Sequence, residues 1–391
     1  MTVPPRLAIA AALLMTLPAA PSAAQTYAEV DQAVQAGIRD GLYPGAVVVI
    51  GRRDSILYTR GYGHFTWNPA SRTPDPDSTL WDIASITKVV ATAASAMRLV
   101  DQQKLDLDDR VGHYLPRFSG GLKSQVTVRM LLDHTSGLKS YVPIYKRAGR
   151  SRSRMISLLY AQPLIRPPGD SAEYSDLNAM LLGLVVESVS RTSLARFADT
   201  AVFDPLGMTE TRFSIPARLK RRAAPSGIWR GEPVPGDVND QNAAAFGGVA
   251  GHAGVFSTGM DLARFAQVWL RGGLGPKGQW VSPATMRQFL TRGPRSGTRL
   301  LGWDSPELAG EEPSIFGTLI STSAYGHTGF TGTELWVDPT HDLFLVFLTN
   351  RAFDPKARDS LKGLKAVRTE LSDAAIRLVP HACAQELISR C

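Results

Sequence analysis

The chain has 391 residues, of which 44% are hydrophobic, 20% charged and 8% aromatic. This ordinary globular composition excludes a disordered chain, a collagen-like repeat and a coiled coil. The formal net charge of +8 is compatible with an anionic partner, but basic residues spread over a solvated surface explain it as well. The two cysteines, Cys383 and Cys391, stand at the end of the chain, so no disulfide framework holds the fold, and whether these two pair stays open.

The first residues have the pattern of a secretory signal peptide. Arg6 precedes an apolar run from Leu7 to Leu17, and small residues continue to Ala24. That run is too short to span a membrane as a helix, and no other stretch is long and apolar enough. We therefore expect residues 1–24 to be a signal peptide cleaved after Ala24, and residues 25–391 to be a periplasmic or secreted protein without a membrane span. An uncleaved N-terminal anchor is the alternative.

Apolar spacing predicts a first helix over Tyr27–Asp40, then a hairpin of Ala46–Ile50 and Ser55–Tyr58. A run rich in Ala, Val and Met, without Gly or Pro, predicts a buried helix over Ser85–Val100. Further helical patterns follow at Val126–Leu132, Ser153–Tyr160, Asn178–Ser190, Ser193–Phe203, Asp261–Leu270 and Ser282–Leu290. Late strands are predicted at Tyr325–Thr328, Gly332–Val337 and Leu343–Thr349, before a final amphipathic helix from Pro355 to about Leu378.

This order of elements predicts an α+β fold. Strands from both ends of the chain must meet in one antiparallel sheet, and the helical middle, at about residues 84–240, forms a lobe beside it. No internal repeat or low-complexity linker divides the sequence. We therefore expect a single domain over residues 25–391.

Several chemistries have no motif in this sequence. The histidines are too far apart for a metal-binding HExxH pattern, and no serine lies in a G-x-S-x-G elbow. The glycine-rich Gly272–Gly278 contains a proline and lacks the Ser or Thr of a phosphate-binding loop. The basic run Lys146–Arg154 has no interleaved aromatic residues, which argues against nucleic-acid binding. We therefore expect no metal, no cofactor and no nucleic-acid partner.

The first motif that suggests catalysis is Ser85-Ile-Thr-Lys88, at the start of the buried helix. Residues three apart share a helix face, so the Lys88 ammonium is expected beside the Ser85 hydroxyl. A neutral lysine can accept the serine proton, and burial beside other cations would lower the Lys88 pKa toward that role. A second copy of the spacing, Ser136-Gly-Leu-Lys139, contains a glycine and follows a helix instead of opening one.

Two further motifs complete the set. Tyr174-Ser-Asp176 precedes a predicted helix, where the tyrosine could transfer a proton; alternatively the segment is a polar turn with Asp176 as the helix cap. His327-Thr328-Gly329 lies on a predicted strand, where Gly329 would let a substrate backbone come close.

Together these motifs resemble the serine β-lactamase and penicillin-binding-protein superfamily, specifically its class C and low-molecular-weight DD-peptidase and esterase branch. The S-x-x-K, Y-x-N and K/H-T-G motifs occur in the family's order, and the resemblance covers about Pro44 to Arg351. It implies a β-lactamase/transpeptidase-like fold. It also implies that Ser85 is acylated, that Lys88 holds or deprotonates it, and that Tyr174 acts as general base and acid. The backbone N–H groups of Ser85 and Phe330 would form the oxyanion hole.

Two residues depart from the family pattern. Asp176 stands where amide-hydrolysing members carry Asn, and a carboxylate cannot donate to a substrate carbonyl. His327 stands where class C β-lactamases carry Lys, and a neutral imidazole attracts a substrate carboxylate weakly. Arg351 or Arg358 could supply that charge, with a surface salt bridge as the other role for each. His134 and His252, in family landmarks, are expected to be structural.

The sequence thus predicts an exported serine hydrolase that acts through an acyl-enzyme on Ser85. Its expected substrates are D-Ala-D-Ala-type peptides or small esters, with Asp176, His327, Thr328 and Gly329 in the binding site. A class C-like β-lactamase is the alternative within this class. A penicillin-binding sensor or scaffold without turnover is the alternative of another class. The oligomeric state is left open.

Overall fold

The computed structural model describes residues 23–229, 232–306, 316–353 and 361–379. The predicted signal peptide lies mostly outside these residues, and the expected cleavage point after Ala24 falls in the first turn of the first helix. Arg358, Cys383 and Cys391 also lie outside the described residues, as does the start of the predicted final helix. In the part of the chain that is described, no helix is long and apolar enough to cross a membrane.

The long strands lie near the two ends of the chain, and most of the helices lie between them. The α-helices are α1 (Ala23–Arg39), α2 (Ala94–Asp101), α3 (Val111–Tyr114), α4 (Val128–Leu132), α5 (Tyr145–Ala148), α6 (Arg152–Tyr160), α7 (Asp176–Ser190), α8 (Leu194–Ala198), α9 (Asp204–Leu206), α10 (Gln241–Ala245), α11 (Gly259–Leu270), α12 (Pro283–Phe289) and α13 (Leu361–Arg377). The strands are β1 (Gly45–Gly51), β2 (Ile56–Gly63), β3 (Trp81–Asp82), β4 (Arg212–Phe213), β5 (Pro225–Trp229), β6 (Glu232–Pro235), β7 (Val255–Ser257), β8 (Leu274–Gly275), β9 (Gly278–Gln279), β10 (Tyr325–Thr328), β11 (Glu334–Asp338) and β12 (Leu343–Thr349).

Strands from the two ends of the chain form one antiparallel sheet in the order β10-β11-β12-β1-β2, which confirms the predicted arrangement. Strand β1 is buried along its whole length because both faces of the sheet are covered. Its side chains alternate between two apolar clusters. Val47 and Val49 pack with α11, whereas Val48 packs with α1 and α13. The α+β fold class is therefore confirmed.

The predicted buried helix over Ser85–Val100 is present but is not one regular α-helix. It begins with a 3-10 turn at Ala84–Ile86, continues as a π-helical segment over Lys88–Ala93 and ends as α2. Segments of π-helix are rare and occur often at functional sites. In this protein the irregular part coincides with the Ser85 and Lys88 motif.

Short strands that the sequence analysis did not predict lie next to this motif. Strands β3, β7 and β4 form a small antiparallel sheet in that order. Strand β3 ends at Asp82, three residues before Ser85, so this sheet sets where the nucleophile motif begins. Strands of two or three residues are too short to show a period of two in the sequence.

Helix α7 and the segment before β7 are in close backbone contact at Gly251. A Cβ atom added to Gly251 would lie 1.9 Å from the carbonyl oxygen of Ala179, in α7. The next residue, His252, presents its carbonyl oxygen to Lys88. The contact therefore links packing of the helical region to the candidate site.

Replacing Gly251 by Ala is expected to lower the free energy of unfolding by about 1–3 kcal/mol, because two backbone segments must separate to admit the methyl group. Urea denaturation followed by tryptophan fluorescence measures this loss. Gly227→Ala is the matched control, because its Cβ would meet only the Asn239 side chain at 3.9 Å. Equal midpoints for Gly251→Ala and the wild-type chain would show that the contact is not tight.

Candidate active site

Ser85 lies in the 3-10 turn between β3 and the π-helical segment. The preceding residue, Ala84, has a positive φ of 46°, an uncommon conformation for a residue other than glycine. The buried carboxylate of Asp82 holds the turn: its Oδ1 accepts from the Ala84 N–H at 2.9 Å and its Oδ2 from the Asn239 N–H at 2.7 Å. Burial raises the pKa of Asp82 to about 6, although these two hydrogen bonds oppose the shift. Sequence analysis missed Asp82, because its partner Asn239 is far away along the chain.

The Lys88 ammonium donates to three acceptors from three parts of the chain. Its Nζ lies 2.8 Å from Ser85 Oγ, 2.7 Å from Asp176 Oδ1 and 3.2 Å from the His252 carbonyl oxygen. An ammonium has three donors and no acceptor, so this set satisfies it. The expected contact between Lys88 and Ser85 is thus present in the structure.

The expectation that the Lys88 pKa is lowered is wrong. Burial does lower it, but the Asp176 carboxylate and Tyr174 outweigh burial, and the pKa of Lys88 is raised above its usual value. A protonated Lys88 donates to Ser85 Oγ and cannot accept its proton. The sequence argument assumed neighbouring cations, whereas the nearest charge is an anion.

Asp176 faces Lys88 because a neighbouring serine takes the capping role. Ser175 is the N-cap of α7, and its Oγ accepts from the Asn178 N–H at 3.4 Å. Asp176 is the first residue of the helix instead of its cap, so that alternative is wrong. The side chain of Asp176 is free to pair with Lys88 in the first turn, where a negative charge is favourable.

The Tyr174 ring lies between two cations and two imidazoles. Lys88 Nζ is 4.9 Å and Arg299 Cζ 5.0 Å from its centroid. The ring centroids of His134 and His327 are 4.9 Å and 5.9 Å away. Arg299, which sequence analysis did not select, pairs with Asp304 at 3.1 Å. The structure thus brings together the tyrosine of the second motif, the lysine of the first and the histidine of the third.

The two imidazoles beside Tyr174 are neutral. His327 Nδ1 donates to the Thr328 carbonyl at 2.8 Å. Burial, followed by the charges of Lys88 and Arg299, lowers the pKa of His327 to about 3. Burial also lowers the pKa of His134, whose Nδ1 accepts from the Ser175 N–H at 3.1 Å. His134 therefore supports the second motif, as expected, and His327 carries no charge toward a substrate carboxylate at neutral pH.

The turn after β10 lies against the Ser85 turn. Thr331 Oγ1 donates to the Asp82 carbonyl at 2.7 Å, and Thr333 Oγ1 to the Ile83 carbonyl at 3.2 Å. A Cβ atom on Gly329 would lie 2.7 Å from the Ile83 carbonyl oxygen. Gly329 therefore makes room for the protein's own chain before Ser85, and the approach of a substrate backbone at Gly329 stays a prediction.

Two amide groups near Ser85 are unpaired. Among the described residues, neither the Ser85 N–H nor the Phe330 N–H has a hydrogen-bond partner. The Phe330 side chain is 48% exposed and lines the cleft next to Ser85. Arg351 is buried behind this residue and donates to the Phe330 carbonyl through Nε at 3.1 Å and Nη2 at 2.7 Å. It therefore lies under the turn and is buried, not exposed at the surface.

The cleft has a volume of about 440 Å³. Its lining residues are Asp82, Ala84, Ser85, Tyr141, Tyr145, Asp176, Asn239, Asp240, Gln241, His252, Ala253 and Phe330.

One group of side chains on the cleft wall has the donor types of a metal site. Asp176, Asp240 and His252 offer ligand atoms within 4.8 Å of one another. Asp176 is already paired with Lys88, and Asp240 Oδ1 lies 2.8 Å from His252 Nε2. Burial acts to raise the pKa of Asp240, but His252 and a backbone N–H outweigh burial and lower this pKa to about 2. A metal ion at this group would have to displace the ammonium of Lys88, so the arrangement fits a charge network better than a metal centre.

Comparison with known proteins shows the family of the chain. A family model described as Beta-lactamase matches residues 30–369. A protein of Escherichia coli (strain K12) named "Putative D-alanyl-D-alanine carboxypeptidase" is 31% identical over 351 residues, which cover 81% of this chain and 80% of that protein. A protein of the same name from Salmonella schwarzengrund (strain CVM19633) is also 31% identical, covering 81% of both chains.

Solved structures share the fold at lower identity. "EstCE1, a hydrolase with promiscuous acyltransferase activity" has a TM-score of 0.70 at 23% identity and covers 90% of this chain and 99% of its own. "A class C beta-lactamase" has a TM-score of 0.70 at 20% identity, with coverage of 91% and 96%. The family match spans the sheet, the helical region and all three motifs. The chain therefore belongs to the β-lactamase family and is a β-lactamase-related serine hydrolase.

Proposed function

We propose that the protein is an exported hydrolase that forms an acyl-enzyme on Ser85 and transfers the acyl group to water. The observation that carries this proposal is the 2.8 Å contact between Lys88 Nζ and Ser85 Oγ. It lies at a cleft lined by Ser85 and Phe330, whose backbone N–H groups have no partner among the described residues. Such an arrangement offers a nucleophile, a cation and donors for a developing oxyanion within one pocket.

In the proposed mechanism the Tyr174 oxygen accepts the Ser85 proton while Oγ attacks the acyl carbon. The N–H groups of Ser85 and Phe330 bind the resulting oxyanion. Tyr174 then returns the proton to the leaving group as the tetrahedral intermediate collapses. In the second half, Tyr174 takes a proton from water while the water oxygen attacks the acyl carbon. Tyr174 returns this proton to Ser85 Oγ when the bond between the acyl carbon and Oγ breaks. Lys88 remains an ammonium throughout, because Asp176 pairs with it, and it holds Ser85 in position.

Small esters are the substrates that the charges of the site favour. No Lys or Arg is among the described residues that line the cleft, whereas Asp176 and Asp240 are. β-Lactams and D-Ala-D-Ala peptides carry a carboxylate near the scissile bond, and the neutral His327 gives it little attraction. A D-Ala-D-Ala-type peptide is the second candidate. The names of the 31% identical relatives and the position of Arg299 beside Tyr174 support it.

Two other functions receive less support. A class C-like β-lactamase would need a donor at position 176, and Asp176 offers a carboxylate. A scaffold that binds penicillin without turnover has no need to keep all three of Ser85, Lys88 and Tyr174. The signal-peptide pattern of residues 1–24 supports export to the periplasm or the medium.

Ser85→Ala is expected to abolish covalent labelling and turnover, because it removes the hydroxyl that Lys88 contacts at the cleft. The mature protein is incubated with a nitrophenyl ester, a D-Ala-D-Ala peptide and a fluorescent penicillin, and mass spectrometry locates the adduct. Ser95→Ala is the matched control, since Ser95 is a buried serine on the same helical stretch. A wild-type chain that neither forms an adduct nor turns over any of the three would contradict the proposal. Activity that persists in Ser85→Ala would show that another residue is the nucleophile.

Asp176→Asn is expected to move the alkaline limb of the kcat/KM profile to lower pH. The Asp176 carboxylate raises the pKa of Lys88. Without this carboxylate Lys88 loses its proton at a lower pH, and with it the hydrogen bond that it donates to Ser85 Oγ. The new amide can also donate to a substrate carbonyl, so β-lactam or amide turnover should rise relative to ester turnover. Steady-state kinetics of both substrates across the neutral and alkaline range measure the two effects.

Asp240→Asn is the control for general loss of negative charge in the cleft, because Asp240 pairs with His252 and not with Lys88. It should move the alkaline limb less than Asp176→Asn does. An unchanged limb and an unchanged substrate ratio in Asp176→Asn would show that the ion pair with Lys88 does not govern the reaction.

A further inference from the structure

Three carbonyl groups of the turn over Gly329–Thr333 accept from buried arginine side chains. Arg368, in α13, donates through Nη2 to the Thr333 carbonyl at 2.8 Å and to the Gly329 carbonyl at 3.4 Å. The Gly329 carbonyl also accepts from the Gly332 N–H at 3.0 Å. Arg351 donates to the Phe330 carbonyl. Two guanidinium groups thus hold the carbonyl side of the turn, while the Phe330 N–H has no partner among the described residues and Phe330 lines the cleft.

Burial of the charged Arg368 side chain is unfavourable, and its ion pair with Glu334 does not fully offset the lost hydration. Arg368 is 8% exposed and Glu334, at the start of β11, is fully buried. Arg368 Nε and Glu334 Oε2 are 3.8 Å apart, and neither atom has a hydrogen-bond partner among the described residues. Burial raises the pKa of Glu334 to about 7 and lowers that of Arg368, while Glu334 and Tyr43 oppose the Arg368 shift. The Arg368 guanidinium donates its hydrogen bonds to carbonyl groups of the turn, and the Glu334 carboxylate accepts none of them.

The Gly329 carbonyl and the Phe330 N–H belong to one peptide group. A charged donor at a carbonyl oxygen draws electron density toward it and makes the N–H of the same peptide a stronger donor. Such a donor, held before the reaction begins, stabilises a developing oxyanion without reorganisation.

We propose that Arg368 is a positioning residue that orients and polarises the Gly329–Phe330 peptide from behind the site. This rests on the proposed function, because it requires the Phe330 N–H to bind the oxyanion. Arg368 reaches no atom of the cleft itself and acts through the peptide.

Arg368→Gln is expected to lower kcat for a nitrophenyl ester by about 10- to 100-fold, with KM changed less than about twofold, because a weakened oxyanion donor acts in the transition state. The second readout is the ratio of kcat/KM for the ester to that for its thionoester, in which sulfur replaces the carbonyl oxygen. Sulfur accepts hydrogen bonds poorly, so the ratio measures the oxyanion hole and should fall several-fold. Arg377→Gln is the matched control, because Arg377 lies on the same helix and pairs with Glu29.

If Arg368→Gln does not fold, Arg368→Lys is measured in the same way, since lysine keeps the buried positive charge. Its ratio of ester to thionoester kcat/KM should fall less than that of the glutamine variant. A kcat in the tested variant within twofold of wild type would overturn the inference, as would a slower enzyme with an unchanged oxygen-to-sulfur ratio. A wild-type chain without a Ser85 acyl-enzyme would instead overturn the proposed function, and this inference with it. A wild-type acyl-enzyme together with an unaffected Arg368 variant would overturn the inference alone.

Discussion

The buried ammonium of Lys88 is the constraint on which the candidate site depends. A charge removed from water is costly unless each of its donors finds an acceptor. For Lys88, 4% exposed, those acceptors are Ser85, Asp176 and the His252 carbonyl. They come from three separate parts of the chain, so the ammonium is stable only where those parts meet. The hydrogen bonds that stabilise the buried charge of Lys88 therefore also hold the nucleophile beside the second motif.

The sheet brings the third motif to the same place. Strand β10 ends beside the Ser85 turn, where hydrogen bonds from Thr331 and Thr333 join the two segments. Behind the turn lie the guanidinium groups of Arg351 and Arg368, and in front of it lies the cleft with Asp176. Cations thus contact the carbonyl side of the turn, and Phe330, whose N–H has no partner among the described residues, lines the cleft. This polarity follows from the peptide group itself, whose C=O and N–H point in opposite directions.

Most of the large elements could be predicted because burial selects apolar residues in recognisable runs and spacings. Short apolar runs at β1 and the late strands indicated the sheet, and the glycine-free run after Ser85 indicated a buried helix. The π-helical segment over Lys88–Ala93 could not be predicted, since its apolar pattern is that of an ordinary helix. Strands β3 and β7 were missed because two or three residues show no period. Asp82 was missed for another reason, since its role depends on Asn239, a distant residue.

By itself, the sequence determined the chemical groups of the site and their local neighbours: Ser85 and Lys88 lie on one helix face because helical spacing places them there. It also determined that Asp176 and His327 differ from the family pattern. Only the tertiary structure decided the charge of Lys88, because the pKa depends on its distance to Asp176, which no local pattern contains. In the same way, it decided that Gly329 makes room for the chain before Ser85. Spacing along a helix is a local property, whereas electric fields and close packing depend on every segment that folding brings near.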